Sequence, residues 1–189
     1  MTAGKTERPP LKSIVLVGFM GAGKSRIGRA LARRLSFAFI DTDEAIQESY
    51  GRTVADIFLK CGEAEFRKAE GELISKLVRS GAKVIALGGG AFIDATNRET
   101  LNRHARTIWL DTPFETILLR LANSKTRPLA SNRTQDELRS LWEKRREYYA
   151  QAHIRMPITN DEEDEIVDRI IVALEGPSWP TSDQVAPTP

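Results

Sequence analysis

Cysteine is nearly missing from this 189-residue chain: Cys61 is the single one. That excludes an internal disulfide and any metal site built on several cysteines. Nothing near Cys61 resembles a base for a thiol, so it is expected as a small, partly buried apolar residue. Long apolar runs are missing too. No stretch nears the roughly 18 uncharged residues of a membrane span, and the opening MTAGKTERPPLKS lacks the apolar core of a secretory signal. A reducing, cytoplasmic setting off the membrane is the expectation. Charge of one sign is not in excess either, since 28 Lys and Arg stand against 26 Asp and Glu. With no long basic stripe and few interleaved aromatics, a nucleic-acid partner is not expected, although a local basic pocket is compatible with the balance.

What is present is the composition of an ordinary globular protein, 41% hydrophobic and 29% charged. The length suits one core rather than two. One domain over 11–175 is expected, flanked by Pro-, Thr- and Ser-rich tails through about Pro10 and from about Gly176 that are expected to be disordered.

Five β-rich runs alternate with helical patterns: SIVLVG (13–18), FAFI (37–40), KVIALG (83–88), RTIWLD (106–111) and HIRMPI (153–158). The first four are continuously apolar, which suits a sheet covered on both faces by helices. The fifth alternates more. Helix starts are marked by TPFE, with Thr112 as N-cap and Glu115 placed for a capping box, by TQDE at Thr134, and by NDEE at Asn160. Gly81 reads as a helix stop. Alternation of strand and helix predicts right-handed parallel crossovers, an α/β fold.

GFMGAGKS, residues 18–25, matches G-x-x-x-x-G-K-[ST] and lies between a strand and a helix starting near Lys24. Gly18, Gly21 and Gly23 let successive N–H groups turn toward an anion. The helix N-terminus adds its positive end. Lys24 can reach β- and γ-phosphates and the Ser25 hydroxyl can ligate Mg²⁺, so the chain is read as binding a nucleoside triphosphate.

Five other stretches suit an acceptor pocket. In FIDTDE, continued strand geometry would place Asp41 and Asp43 on one face about 6–7 Å apart, repelling by about 2–3 kcal/mol at an effective dielectric near 20. Something positive or rich in hydroxyl donors should face them. In GEAEFRKAE, Arg67 could grip a carboxylate bidentately beside the apolar wall of Phe66. Gly88, Gly89 and Gly90 end a buried strand, where α/β sheets bind ligands and bare backbone can touch them. LANSKTRPLASNRT (121–134) reads as a lid that could bring Arg127 into the site. EKRREYY supplies Arg145, although Lys144, Arg145 and Arg146 read by themselves as a solvated face.

Together and in order, the phosphate loop, DTD, GExxFR (Gly62, Glu63, Phe66, Arg67), GGGA (88–91), LDTPFETILLRL, RPL (127–129) and RxxxYxxA (Arg145, Tyr149, Ala152) resemble the shikimate kinase family. The resemblance spans about 13–174. It departs at Arg26, where many members have Thr, at RPLA, and in the acidic ITNDEED. It implies a three-layer α/β/α P-loop kinase fold with a lid and a five-stranded parallel sheet in order 2-3-1-4-5. It implies phosphorylation of shikimate by ATP, with Mg²⁺, in a monomer. By resemblance, Gly21, Ala22, Gly23, Lys24, Ser25, Arg26, Arg120 and Arg127 would bind ATP, with Arg120 against the adenine. Ser25 and Asp41 would hold the metal. Asp43, Arg67, Gly88, Gly89, Gly90 and Arg145 would bind shikimate, and Asp43, Lys24 and Arg127 would be catalytic.

Two rivals stand beside this reading. Another kinase of the same fold, such as a gluconate kinase, would also take an acceptor with a carboxylate and hydroxyls. A nucleotide-switched P-loop module would turn over ATP slowly and ignore any small acid.

Overall fold

The computed structural model describes residues 12–122, 134–159 and 162–175. Its elements run β1 (Ser13–Val17), α1 (Lys24–Leu35), β2 (Ala38–Asp41), α2 (Thr42–Tyr50), α3 (Val54–Arg79), β3 (Lys83–Ala86), α4 (Ala95–His104), β4 (Ala105–Asp111), α5 (Phe114–Ala122), α6 (Gln135–Tyr149), β5 (Ile154–Pro157) and α7 (Glu163–Leu174). The five strands form one sheet in order 2-3-1-4-5, every pair parallel. This is the α/β architecture and strand order expected above. Among the described residues no helix is long and apolar enough to cross a membrane.

β1 shows why its run is apolar throughout. Successive side chains leave opposite faces of a strand. Ile14 and Leu16 join a core with Ile27, Leu31, Ile108, Met156 and Ile170, while Val15 and Val17 join another with Ile74, Ile85, Leu101 and Tyr149. Helices cover both faces, so no position of the central strand meets water. The edges are less covered: β2 is only half-buried, contrary to the reading of its run, because one side of an edge strand has no neighbouring strand. Gly28 lets α1 close on that edge, since a Cβ there would stand 2.5 Å from the Phe39 ring.

Other expectations need correction. Cys61 is exposed, not partly buried. Gly62, at φ +83°, breaks α3 immediately after it. The Thr112 hydroxyl donates to Ala22 O, tying the head of α5 to the phosphate loop, while Glu115 pairs with Arg139. The N-cap of α7 is Glu162 rather than Asn160, which lies outside the described residues, as do the tails and most of the lid. Thr134 and Glu137 do form a capping box at α6, and Gly81 takes the positive φ of a stop.

Candidate functional site

Strand order reverses on either side of β1, and the described residues among those singled out from sequence gather at the carboxyl ends of the strands around that point. Gly18, Gly21 and Gly23 have φ of +143°, +78° and +101°. Their loop runs into α1, whose first N–H groups lack intrahelical partners. Carbonyls of the loop are drawn outward: Ala22 O accepts from Thr112 Oγ1 at 3.1 Å, and Arg120 Nη1 donates to Gly21 O and Ala22 O at 3.2 Å. The N–H side of the loop is thereby left to face an anion. Lys24 Nζ donates to Gly18 O and Phe19 O, both at 2.9 Å. Gly21, Gly23, Lys24, Ser25, Arg26 and Arg120 line one cleft of about 270 Å³. Arg26 also pairs with Glu163 at 2.8 Å. Burial and neighbouring Arg26 lower the Arg120 pKa from its usual value.

The DTD expectation changes here. Strand geometry stops at Asp41, which is the N-cap of α2: its Oδ1 accepts from Asp43 N at 3.0 Å and Glu44 N at 3.3 Å. Asp41 Oδ2 accepts from Ser25 Oγ at 2.6 Å. Asp43 therefore sits in the first helical turn, not on a strand face shared with Asp41. The helix N-terminus supplies the positive counterpart that the two carboxylates require. Thr42 between them is fully buried and its hydroxyl accepts from Gly88 N at 2.9 Å, which binds this turn to the glycine loop.

Each glycine of that loop abuts functional groups of the site. A Cβ on Gly88 would stand 2.4 Å from Asp43 Oδ1 and 3.0 Å from Glu70 Oε1. One on Gly90 would stand 2.7 Å from Arg67 Nη2, and one on Gly89 3.5 Å from Met20 N and 3.7 Å from Arg145 Nη1. Arg145 Nη1 and the Tyr149 hydroxyl both donate to Gly89 O, at 3.3 and 2.5 Å. Burial pushes the Tyr149 hydroxyl up to about 12, against the pull of Arg145, so it remains a donor.

Glu70 was not foreseen. It is 1% exposed, and its Oε2 accepts from Arg67 Nη1 at 2.7 Å. Its Oε1 has no hydrogen-bond partner among the described residues. Burial raises its pKa above the usual carboxylate value, outweighing Arg67, with Asp43 and Asp94 adding to the rise. The Arg67 pKa is raised: burial alone would lower it, but Glu70 and Glu63 together prevail. A carboxylate three residues after Arg67 in a helix was the available signal. The run of three cations is also not simply a solvated face. Arg146 forks onto Asp111 at 2.6 and 3.2 Å, and Asp111 takes Arg155 as well. Arg127 lies outside the described residues.

The site thus abuts a phosphate-type loop with a pocket offering two guanidinium groups, a carboxylate and bare glycine backbone. A family model described as shikimate kinase matches residues 20–175. The shikimate kinase of Persephonella marina is 38% identical over 161 residues, covering 85% of this chain and 98% of the relative. That of Symbiobacterium thermophilum is 42% identical over 167 residues, covering 86% and 96%. Among solved structures, the shikimate kinase from Acinetobacter baumannii in complex with shikimate has a TM-score of 0.82 at 34% identity, covering 93% of this chain and 96% of that one. A gluconokinase from Sinorhizobium meliloti reaches 0.55 at 16% identity, a likeness of fold alone. The match in sequence over most of the chain and the match in structure agree, and the chain belongs to the shikimate kinase family.

Proposed function

We propose that this protein transfers the γ-phosphate of ATP to the 3-hydroxyl of shikimate, and that the residues brought together above divide the work. One observation carries the reading. Gly89 lies against the phosphate loop, while its neighbours Gly88 and Gly90 lie against Asp43 and Arg67. A triphosphate on one side and an acidic, hydroxylated acceptor on the other would meet there.

Loop N–H groups and Lys24 bind the β- and γ-phosphates, Lys24 exchanging the carbonyls of Gly18 and Phe19 for phosphate oxygens. Arg67 and Arg145 hold the acceptor carboxylate. Asp43 orients the reacting hydroxyl and takes its proton as the new bond forms. Arg120, Arg26 and the backbone of 21–23 bound the nucleotide, and Arg127 comes from the lid toward the transferring group. Ser25 Oγ and Asp41 Oδ2, 2.6 Å apart, form a hard oxygen pair. That fits a Mg²⁺ ion held by few protein oxygens and shared with phosphates. When bound, the ion offsets charge on the phosphate oxygens. Nothing in this scheme requires a second copy of the chain, so a monomer suffices.

The test is ADP release measured with ATP alone, with shikimate and with gluconate. Release that depends on shikimate and ignores gluconate supports the reading. ATP turnover indifferent to any small acid overturns it.

A further inference from the structure

Six consecutive carbonyls, 88–93, are all taken by the protein. Gly88 O accepts from Ala91 N and Gly90 O from Ile93 N, each at 3.1 Å. Gly89 O is held by Tyr149 and Arg145. Ala91 O accepts from Asn97 Nδ2 at 3.3 Å, and Arg98 Nη1 donates to Phe92 O and Ile93 O at 3.0 and 2.9 Å. Among the described residues, the N–H groups of Gly89 and Gly90 have no hydrogen-bond acceptor. Holding the carbonyls back turns the loop into a donor surface, as a nest does for an anion.

Arg98 does more than close the far end of this loop. Its Nε donates to Gln151 Oε1 at 2.7 Å, and its guanidinium stands 5.4 Å from the Tyr148 ring centroid. Tyr148 belongs to α6, one residue before Tyr149 and three after Arg145. One planar group in α4 thus grips both the glycine loop and the end of the helix that presents Arg145. The two edges of a guanidinium fork can do this, whereas an ammonium has no such fixed geometry.

We propose that Arg98 is a positioning residue for the acceptor. It fixes the 88–93 loop and the end of α6 as one body, so that the Gly89 and Gly90 N–H groups and the Arg145 guanidinium address the same substrate. This rests on the acceptor site proposed above.

Arg98→Met, Arg98→Lys and Gln151→Ala test it, with shikimate and ATP varied separately in the ADP-release assay and amide hydrogen exchange followed over 88–93. Arg98→Met should raise the shikimate KM by about tenfold while the ATP KM stays within about twofold. Arg98→Lys should recover only part of this. Gln151→Ala, which removes the Arg98 Nε hydrogen bond just beyond the end of α6 and leaves the loop carbonyls and the Tyr148 ring in contact, should raise the shikimate KM by about two- to threefold and leave Tm unchanged. Exchange over 88–93 should quicken in Arg98→Met whatever the acceptor. An unchanged shikimate KM in Arg98→Met, or equal rises in both KM values, overturns the proposal. If Arg98→Met does not fold, Arg98→Lys and Gln151→Ala decide in the same way. Wild-type protein that ignores shikimate would sink the functional reading instead, and the exchange measurement would still judge the bridge.

Discussion

Gly88→Ala isolates the contact between the glycine loop and Asp43. Backbone strain does not enter, because Gly88 is not among the residues of positive φ. The cost is steric. An added Cβ would stand 2.4 Å from Asp43 Oδ1 and 3.3 Å from its Cγ, so the carboxylate must retreat by about 1 Å to reach ordinary contact. Glu70 Oε1, 3.0 Å from the same Cβ position, closes one escape route. Overpacking of this kind costs about 1–3 kcal/mol, which lowers Tm by roughly 3–10 °C in a domain of this size. The larger effect is on turnover. Displacing Asp43, the group proposed to orient the nucleophile, by about 1 Å should cost on the order of 100-fold in kcat.

The assay is ADP release with shikimate and ATP varied separately, alongside thermal unfolding. The expectation is kcat reduced by about two orders of magnitude, an ATP KM near wild type, and a moderate Tm loss. Gly89→Ala serves as the stability control, since its Cβ would find only ordinary contacts, 3.5 Å and beyond, and Tm should not move. Gly88→Ala with wild-type kcat and shikimate KM would refute the placement of Asp43 at the reacting hydroxyl.

Three further outcomes follow from other parts of the molecule. Arg67→Ala should raise the shikimate KM by an amount equivalent to about 2–4 kcal/mol, with ATP affinity nearly unchanged. It should also push the Glu70 pKa higher. A carboxyl held above its unfolded value folds best protonated, so the variant's stability in urea should fall more steeply than wild type as pH rises from 4.5 through that raised value. Lys83→Met should cost about 1–3 kcal/mol in denaturant titrations, because the buried Lys83 Nζ donates to Ser80 O, Ser80 Oγ and Gly81 O at 2.9, 2.9 and 3.1 Å. It lies at the opposite ends of the strands from the site, so both KM values should hold. Burial, with help from Arg106 and Lys12, lowers the His153 pKa to about 4, and its Nδ1 accepts from Thr107 N. Its stabilisation should fade as pH falls from 6.5 through 4, by about 1 kcal/mol once solvent screening of the exposed ring is allowed for. His153→Gln should flatten that limb in thermal scans at pH 4–7.

Much of this was legible in the sequence because it depends on local, periodic facts. The strand runs mark their own length, and the phosphate loop is a contiguous motif whose glycines take the φ values that glycine favours. What failed to show depends on partners distant in sequence or on a break in geometry. Asp41 and Asp43 looked like strand neighbours, yet Asp41 is also a good N-cap, and capping two N–H groups of α2 ended the strand there. Cys61, on the last turn before the break at Gly62, is exposed rather than partly buried. Glu70 looked like any polar helix residue until the fold closed Gly88 over it. Arg146 and Arg145 are adjacent and chemically identical, but only a partner 35 residues away, Asp111, distinguishes a structural fork from its neighbour.

Burial of the partner sorts the arginines more finely than their positions do. Arg146 is committed: Asp111, its partner, is 8% exposed and accepts from its Nη1 and Nη2. Arg67 is divided. Its Nη1 is bound by the buried Glu70, while its Nε and Nη2 edge rests on Glu63, whose side chain is 71% exposed. An ion pair with an exposed carboxylate is worth little and is readily exchanged. Separating a buried pair leaves an uncompensated charge and costs several kcal/mol. The fork of Arg67 is therefore fixed on one side and open to trade on the other. On the proposed assignment, a substrate carboxylate would need to displace only Glu63, while Glu70 would keep the guanidinium aimed at Gly90 throughout.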